Sequence, residues 1–135
     1  KIIKFVDESY NANPLSVYSA IKNFDLINKG KGKKNIILGD MLELGKHSKK
    51  LHEKLASVIN SSKIDNVHIY GKNIKHTFKK IVPKKKGTIL RHKSDIISLI
   101  KNDINNNDYL MIKGSNSTGL YKLSDNLKKG NLHAI

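Results

Sequence analysis

The sequence predicts an α/β fold: a Rossmann-like, mostly parallel sheet of about five to six strands with helices on both faces. Three observations carry that expectation. Five short apolar runs alternate with segments whose apolar residues recur at three- and four-residue spacing. Helix-start chemistry stands where those segments begin. No linker or internal repeat divides residues 1–135, so one domain is expected. Strands that alternate with helices pair in parallel, and right-handed crossovers then align the strand-to-helix loops along one edge.

The elements follow in order. Ile2–Val6 reads as the first strand, and Val17, Ile21 and Phe24 mark the helix after it. Asn13 suits that helix's N-cap, with Pro14 at the first position, where a missing N–H costs nothing. Ile36–Leu38 is the second strand, and Leu51, Leu55, Val58 and Ile59 mark its helix, with Ser48 as the expected cap. Val67–Tyr70 is followed by Ile74, Phe78, Ile81 and Val82. Thr88–Leu90 is followed by Ile96, Ile97, Ile100 and Ile104, with Ser94 as cap. Tyr109–Ile112 is the fifth strand, and Leu120, Leu123 and Leu127 mark a last helix. Each apolar set falls on one helix face. Gly30–Lys34, Pro83–Gly87 and Asn105–Asn107 read as polar connections, and the Lys84–Lys86 run as a solvated turn. The first strand has no lead-in, so something is expected to precede it.

Composition narrows the function classes. The chain lacks Cys, which removes disulfides and Cys-ligated metals, and has no run of about 18 apolar residues to span a membrane. The six histidines are scattered, so no metal is assigned to this domain. The net charge of +15 first suggests a polyanion. Yet Arg91 is the single arginine among 26 basic residues, and aromatic residues are few. Base readout favours Arg, and single-strand binding favours aromatic platforms. Lys, Asn and Ile are together abundant, as A/T-rich codons would make them. A small basic α/β module for nucleic acid or another polyanion is the alternative reading. A stand-alone dinucleotide binder is disfavoured, since no G-x-G-x-x-G follows the first strand.

Three strand-to-helix loops could carry chemistry. Residues 7–14, Asp-Glu-Ser-Tyr-Asn-Ala-Asn-Pro, place two acids, a phenol and two amides at a strand's carboxyl end, where open α/β sheets bind ligands. Carboxylates there can accept from ribose hydroxyls. Residues 39–45, Gly-Asp-Met-Leu-Glu-Leu-Gly, put Asp40 on the same edge, with apolar residues too numerous for a plain solvent loop. His52, beside Leu51, is expected to be a satisfied structural histidine. Residues 113–119, Lys-Gly-Ser-Asn-Ser-Thr-Gly, form a small-residue loop opening onto a helix start, suited to an anion such as a carboxylate. No G-x-x-x-x-G-K-[ST] occurs, so the domain does not hold a triphosphate alone.

Residues 7–14 resemble the D-[DE]-[ST]-Y-N-A-N-P signature of MurF-type ligases. Leu38 to Gly45, then His47-Ser48 and Leu51-His52, resemble the L-G-D-M-x-E-L-G…H-S…L-H segment. Ile112-Lys113-Gly114-Ser115 is similar to V-K-G-S. In order, these matches resemble the C-terminal domain of the MurF branch of the Mur ligase family. Asn116 departs from the pattern, standing where many members carry Arg.

The resemblance implies a three-domain, cytoplasmic bacterial enzyme of peptidoglycan precursor synthesis. ATP and Mg2+ are held mainly by a central domain. D-alanyl-D-alanine is joined to UDP-N-acetylmuramoyl-tripeptide through an acyl phosphate. It implies that Asp7 or Glu8 meets the ATP ribose, and that Tyr10, Asn11 and Asn13 line the nucleotide side. Asp40, Glu43, Lys113, Gly114, Ser115 and Asn116 would line the dipeptide site. No residue here would be catalytic, and this domain alone would be inactive. Its partners would be those substrates and its own central domain, with no specific nucleic acid and no membrane.

Overall fold

The computed structural model describes residues 2–7, 12–114, 119, 120 and 122, with Asp7 described by its backbone. The strands are β1 (Lys4–Asp7), β2 (Lys34–Gly39), β3 (Asn66–Tyr70), β4 (Lys86–Leu90) and β5 (Tyr109–Lys113). The helices are α1 (Pro14–Asp25), α2 (Ser48–Asn60), α3 (Lys75–Lys80) and α4 (Lys93–Asn102). The five strands pair in the order β1-β5-β2-β3-β4, and every pairing is parallel. The α/β architecture is therefore as expected from the alternating pattern.

Both faces of the sheet are covered, and this explains the continuous apolar runs. Ile36 and Leu38 of β2 join the core formed with α1 and α2, whereas Ile37 points into the core formed with α4. Met111 of β5 lies on the first face, and Leu110 and Ile112 on the second. Val17, Ala20, Ile21 and Phe24 form the buried stripe of α1, and Leu55, Ala56, Val58 and Ile59 that of α2. Ile96, Leu99 and Ile100 of α4 cover the opposite face, where Leu120 also packs. Leu123 and Leu127, expected on a last helix, lie outside the described residues.

Some boundaries and caps differ from expectation. β2 begins at Lys34 because its backbone is already in register with Tyr109. Of the four residues expected on the third helix, Ile74, Ile81 and Val82 lie outside α3, and Ile104 lies beyond the end of α4. Ser48 is the first residue of α2 rather than its cap. At α4 the cap is His92, whose N–H donates to Asp95 Oδ2 at 2.9 Å, in place of Ser94. Arg91 N–H donates to the same oxygen, and these two bonds hold the Asp95 carboxyl below its ordinary pKa.

The lysine run also needs correction. Residues Pro83–Lys85 form a 3-10 turn that leads directly into β4. Lys84 and Lys86 are exposed, but Lys85 is buried, and its Nζ donates to the Ser62 and Ile64 carbonyls at 2.8 and 2.7 Å. Lys34 is buried as well, donating to the Asp25 carbonyl at the end of α1. Each ammonium thus serves carbonyls at or just beyond a helix C-terminus, where the helix dipole favours a cation. Burial lowers both lysine pKa values. Lys29 pairs with Asp65 at 2.9 Å. Part of the positive charge is therefore structural, not a face awaiting a polyanion.

Candidate functional site

An all-parallel sheet sends every strand's carboxyl end to one edge, and the register fixes the neighbours there. Asp7 pairs with Ile112, Lys113 with Leu38, Gly39 with Tyr70, and Tyr70 with Leu90. The ends of β1, β5, β2 and β3 thus stand side by side. β2 leads to α2 on one face, and the segment after β5 sends Leu120 to the other. Adjacent strands whose continuations part to opposite faces open a crevice, the usual ligand position in such sheets.

Two glycines set the floor of that crevice. A Cβ on Gly114 would lie 2.6 Å from Leu120 Cδ1 and 3.2 Å from Gly39 Cα. Side chains at both positions would push the two strand ends apart. Lys113, just before, is buried at 4 % exposure. Ser115 and Asn116 lie outside the described residues, as do Glu8, Tyr10 and Asn11.

Asn13 is exposed, and its Oδ1 accepts from Ser16 N–H at 2.9 Å. Ser16 Oγ accepts from Asn13 N–H at 3.0 Å, completing a capping box. The helix-start role is therefore seen directly. Asn13→Ala is expected to cost about 1 kcal/mol of stability. Urea unfolding checks this as a lower midpoint with an unchanged slope.

The loop after β2 is held from below. Asp40 is buried, and its Oδ1 accepts from Ile74 N–H at 2.8 Å. Asn73 Nδ2 stands 3.5 Å from the other carboxylate oxygen. Met41 N–H donates to His52 Nε2 at 3.0 Å, so the ring proton resides on Nδ1, which donates to the Ser48 carbonyl at 2.7 Å. His52 is wholly buried and satisfied at both nitrogens, the structural role expected of it. Glu43 is exposed, with φ of 62°, a conformation uncommon for residues other than Gly. The site reading of the sequence missed Gly71. Its φ is 139°, and a Cβ there would run into the Asp40 carboxylate, with Cγ at 2.7 Å. A lone Gly after a strand was the only available sign, and it did not reveal what Gly71 faces.

The Mur ligase, glutamate ligase domain family model matches residues 2–116. The UDP-N-acetylmuramoyl-tripeptide–D-alanyl-D-alanine ligase of Bacillus subtilis is 31% identical over 93% of this chain, which spans 28% of that protein's length. The ligase of the same name from Buchnera aphidicola (Acyrthosiphon pisum) is 30% identical over 92% of the chain, which spans 26% of its length. Among solved structures, MurF ligase from Thermotoga maritima in complex with ADP is similar with a TM-score of 0.71. It is 25% identical, with 94% of this chain and 29% of that one covered. MurF from Acinetobacter baumannii shares the fold, with a TM-score of 0.76, 24% identity and coverage of 93% and 27%. The all-parallel sheet, the crevice at Gly39 and Gly114, and a match across residues 2–116 agree: the chain belongs to the Mur ligase family, as its glutamate ligase domain.

Proposed function

We propose that this chain is the C-terminal domain of an ATP-dependent ligase that joins D-alanyl-D-alanine to UDP-N-acetylmuramoyl-tripeptide in the bacterial cytoplasm. The observation that carries the proposal is the crevice, where the ends of β1, β2 and β5 meet in a chain 31% identical to such a ligase over 93% of its length. In this reading Asp7 or Glu8, with Tyr10, Asn11 and Asn13, forms the nucleotide side. Lys113, Gly114, Ser115 and Asn116 form the side that receives the dipeptide carboxylate.

The work of these residues is positioning. An amine held in line with an activated carboxyl gains the effective concentration that a bimolecular encounter lacks. Closure of this edge over the rest of the protein excludes water, whose attack on the acyl phosphate competes with ligation. Bound ATP supplies the phosphoryl group that activates the tripeptide carboxyl. Among the described residues no three His, Asp or Glu side chains converge as metal ligands. In this reading Mg2+ is held mainly by the central domain. No helix among the described residues is long and apolar enough to cross a membrane.

The test is product formation. Full-length protein containing this chain, given ATP, UDP-N-acetylmuramoyl-tripeptide and D-alanyl-D-alanine, should yield the pentapeptide by mass. No pentapeptide, alongside tight DNA binding that survives physiological salt, would instead favour the basic binding module. Binding driven by surface lysines alone should fade steeply with salt.

A further inference from the structure

The crevice occupies one edge of the sheet, and the opposite edge, where the strands begin, carries a different chemistry. In the strand order β1-β5-β2-β3-β4 it presents Lys4 at the start of β1, Lys31 and Lys33 just before β2, Lys63 just before β3 and Lys84 just before β4. All five are exposed. Neighbouring strands lie about 4.8 Å apart, so the row extends about 19 Å across the sheet. Three hollows join along it, and Lys29 lines all of them.

The carboxylates at this edge are already engaged. Asp65 accepts from Lys29 Nζ and Lys34 N–H, Asp25 from Lys63 N–H, and buried Asp108 from the N–H groups of Lys33 and Asn105. The ion pairs among the described residues are Lys29–Asp65 and Lys80–Glu53, so none of the five ammonium groups in the row has a carboxylate partner there. Gathered like charges repel one another, and an anionic surface offsets that cost.

The composition of the edge distinguishes between anionic partners. Base readout favours arginine, which the row lacks, and strand stacking favours open aromatic platforms. The one aromatic ring lining the hollows, Tyr109, packs against the core and lies beneath Lys4 Nζ at 5.0 Å. Lipid headgroups ask only for positive charge close to the surface, together with an apolar residue that reaches the acyl boundary. Leu26, at the end of α1, lines one hollow together with Lys63. At 82 % it is the most exposed large apolar side chain among the described residues.

We propose that the amino-terminal edge of the sheet is a docking surface for an anionic lipid bilayer. The lysine row meets the phosphate headgroups, and Leu26 enters the headgroup region. The crevice at the opposite edge then faces away from the bilayer and stays open to soluble ligands. The family resemblance supplies no such partner, and the inference does not depend on the ligase reading.

The experiment is cosedimentation of the full-length protein containing this chain with lipid vesicles at physiological salt. The protein should bind vesicles of equal parts phosphatidylcholine and phosphatidylglycerol, and not vesicles of phosphatidylcholine alone. A lysine near such a surface contributes about fivefold to partitioning, so the triple variant Lys31→Gln, Lys63→Gln, Lys84→Gln should bind about a hundredfold less. Removing as many charges from α2, with Lys49→Gln, Lys50→Gln and Lys54→Gln, should cost less than about fivefold, because screening weakens distant charges. All six lysines are exposed, so Tm should hold in both variants. Leu26→Ser should weaken vesicle binding and leave binding to mixed-sequence DNA unchanged. Failure to bind the anionic vesicles overturns the inference, as does a row variant that loses no more than the α2 variant. Vesicle binding indifferent to Leu26→Ser, with DNA held more tightly through the same lysines, overturns it in favour of nucleic acid.

Discussion

Gly71→Ala should destabilise the protein by about 2–6 kcal/mol and abolish ligation by the full-length enzyme. Two costs combine. At φ of 139° the backbone lies where L side chains are strained, a penalty of about 1–3 kcal/mol. The new Cβ would also collide with the Asp40 carboxylate, displacing it from Ile74 N–H. Leaving that buried donor unsatisfied costs about 1–3 kcal/mol more. Urea unfolding measures the sum. The double variant Gly71→Ala with Asp40→Ala tests the cause: removing the carboxylate relieves the collision, so the two losses should be less than additive. Full additivity would mean that Gly71 acts through its backbone alone.

The second large effect is a loss of stability in acid centred on His68. This residue lies on β3, facing the α4 side of the sheet, and is buried. Its Nδ1 accepts from Thr88 N–H at 3.0 Å, so the neutral ring carries its proton on Nε2, a buried atom with no hydrogen-bond partner among the described residues. Burial pushes its pKa down to about 4, against a weaker opposing pull from Asp103. The folded chain thus keeps His68 neutral while the unfolded chain takes up a proton near pH 6.5. Stability is full above pH 6.5 and falls as pH drops towards 4, by about 3 kcal/mol in total. The difference in pH dependence between wild type and His68→Leu isolates this residue from the other histidines. Wild type should lose stability more steeply than the variant between pH 6.5 and 4. Parallel curves would remove His68 as the cause.

Much of the architecture was legible because burial leaves a periodic imprint. Ile36–Leu38, Val67–Tyr70 and Tyr109–Ile112 read as strands since both sheet faces are covered, and α1 and α2 showed their buried stripes. Caps and polar burial were less legible. His92 caps α4 through Asp95 where Ser94 was expected, because the competing side chains stand close together in sequence. Lys85 reads as one of three solvated lysines, and only the fold brings the Ser62 and Ile64 carbonyls to it. At the site, the shared edge followed from strand–helix alternation. That Asp40 turns inward depended on Gly71 and Ile74, more than 30 residues away, and no local pattern encodes such a contact. The left-handed backbone of Glu43 was equally hidden, since its neighbours Leu42 and Leu44 suggested only packing.

The central claim is that this edge is one half of a site completed by other domains. It is tested most directly by comparing residues 1–135 alone with the full-length protein in a single assay. Each is given ATP, UDP-N-acetylmuramoyl-tripeptide and D-alanyl-D-alanine, and phosphate release and peptide product are followed together. The account predicts turnover by the full-length protein and none by the 135 residues. ATP-dependent ligation by the 135 residues alone would contradict it.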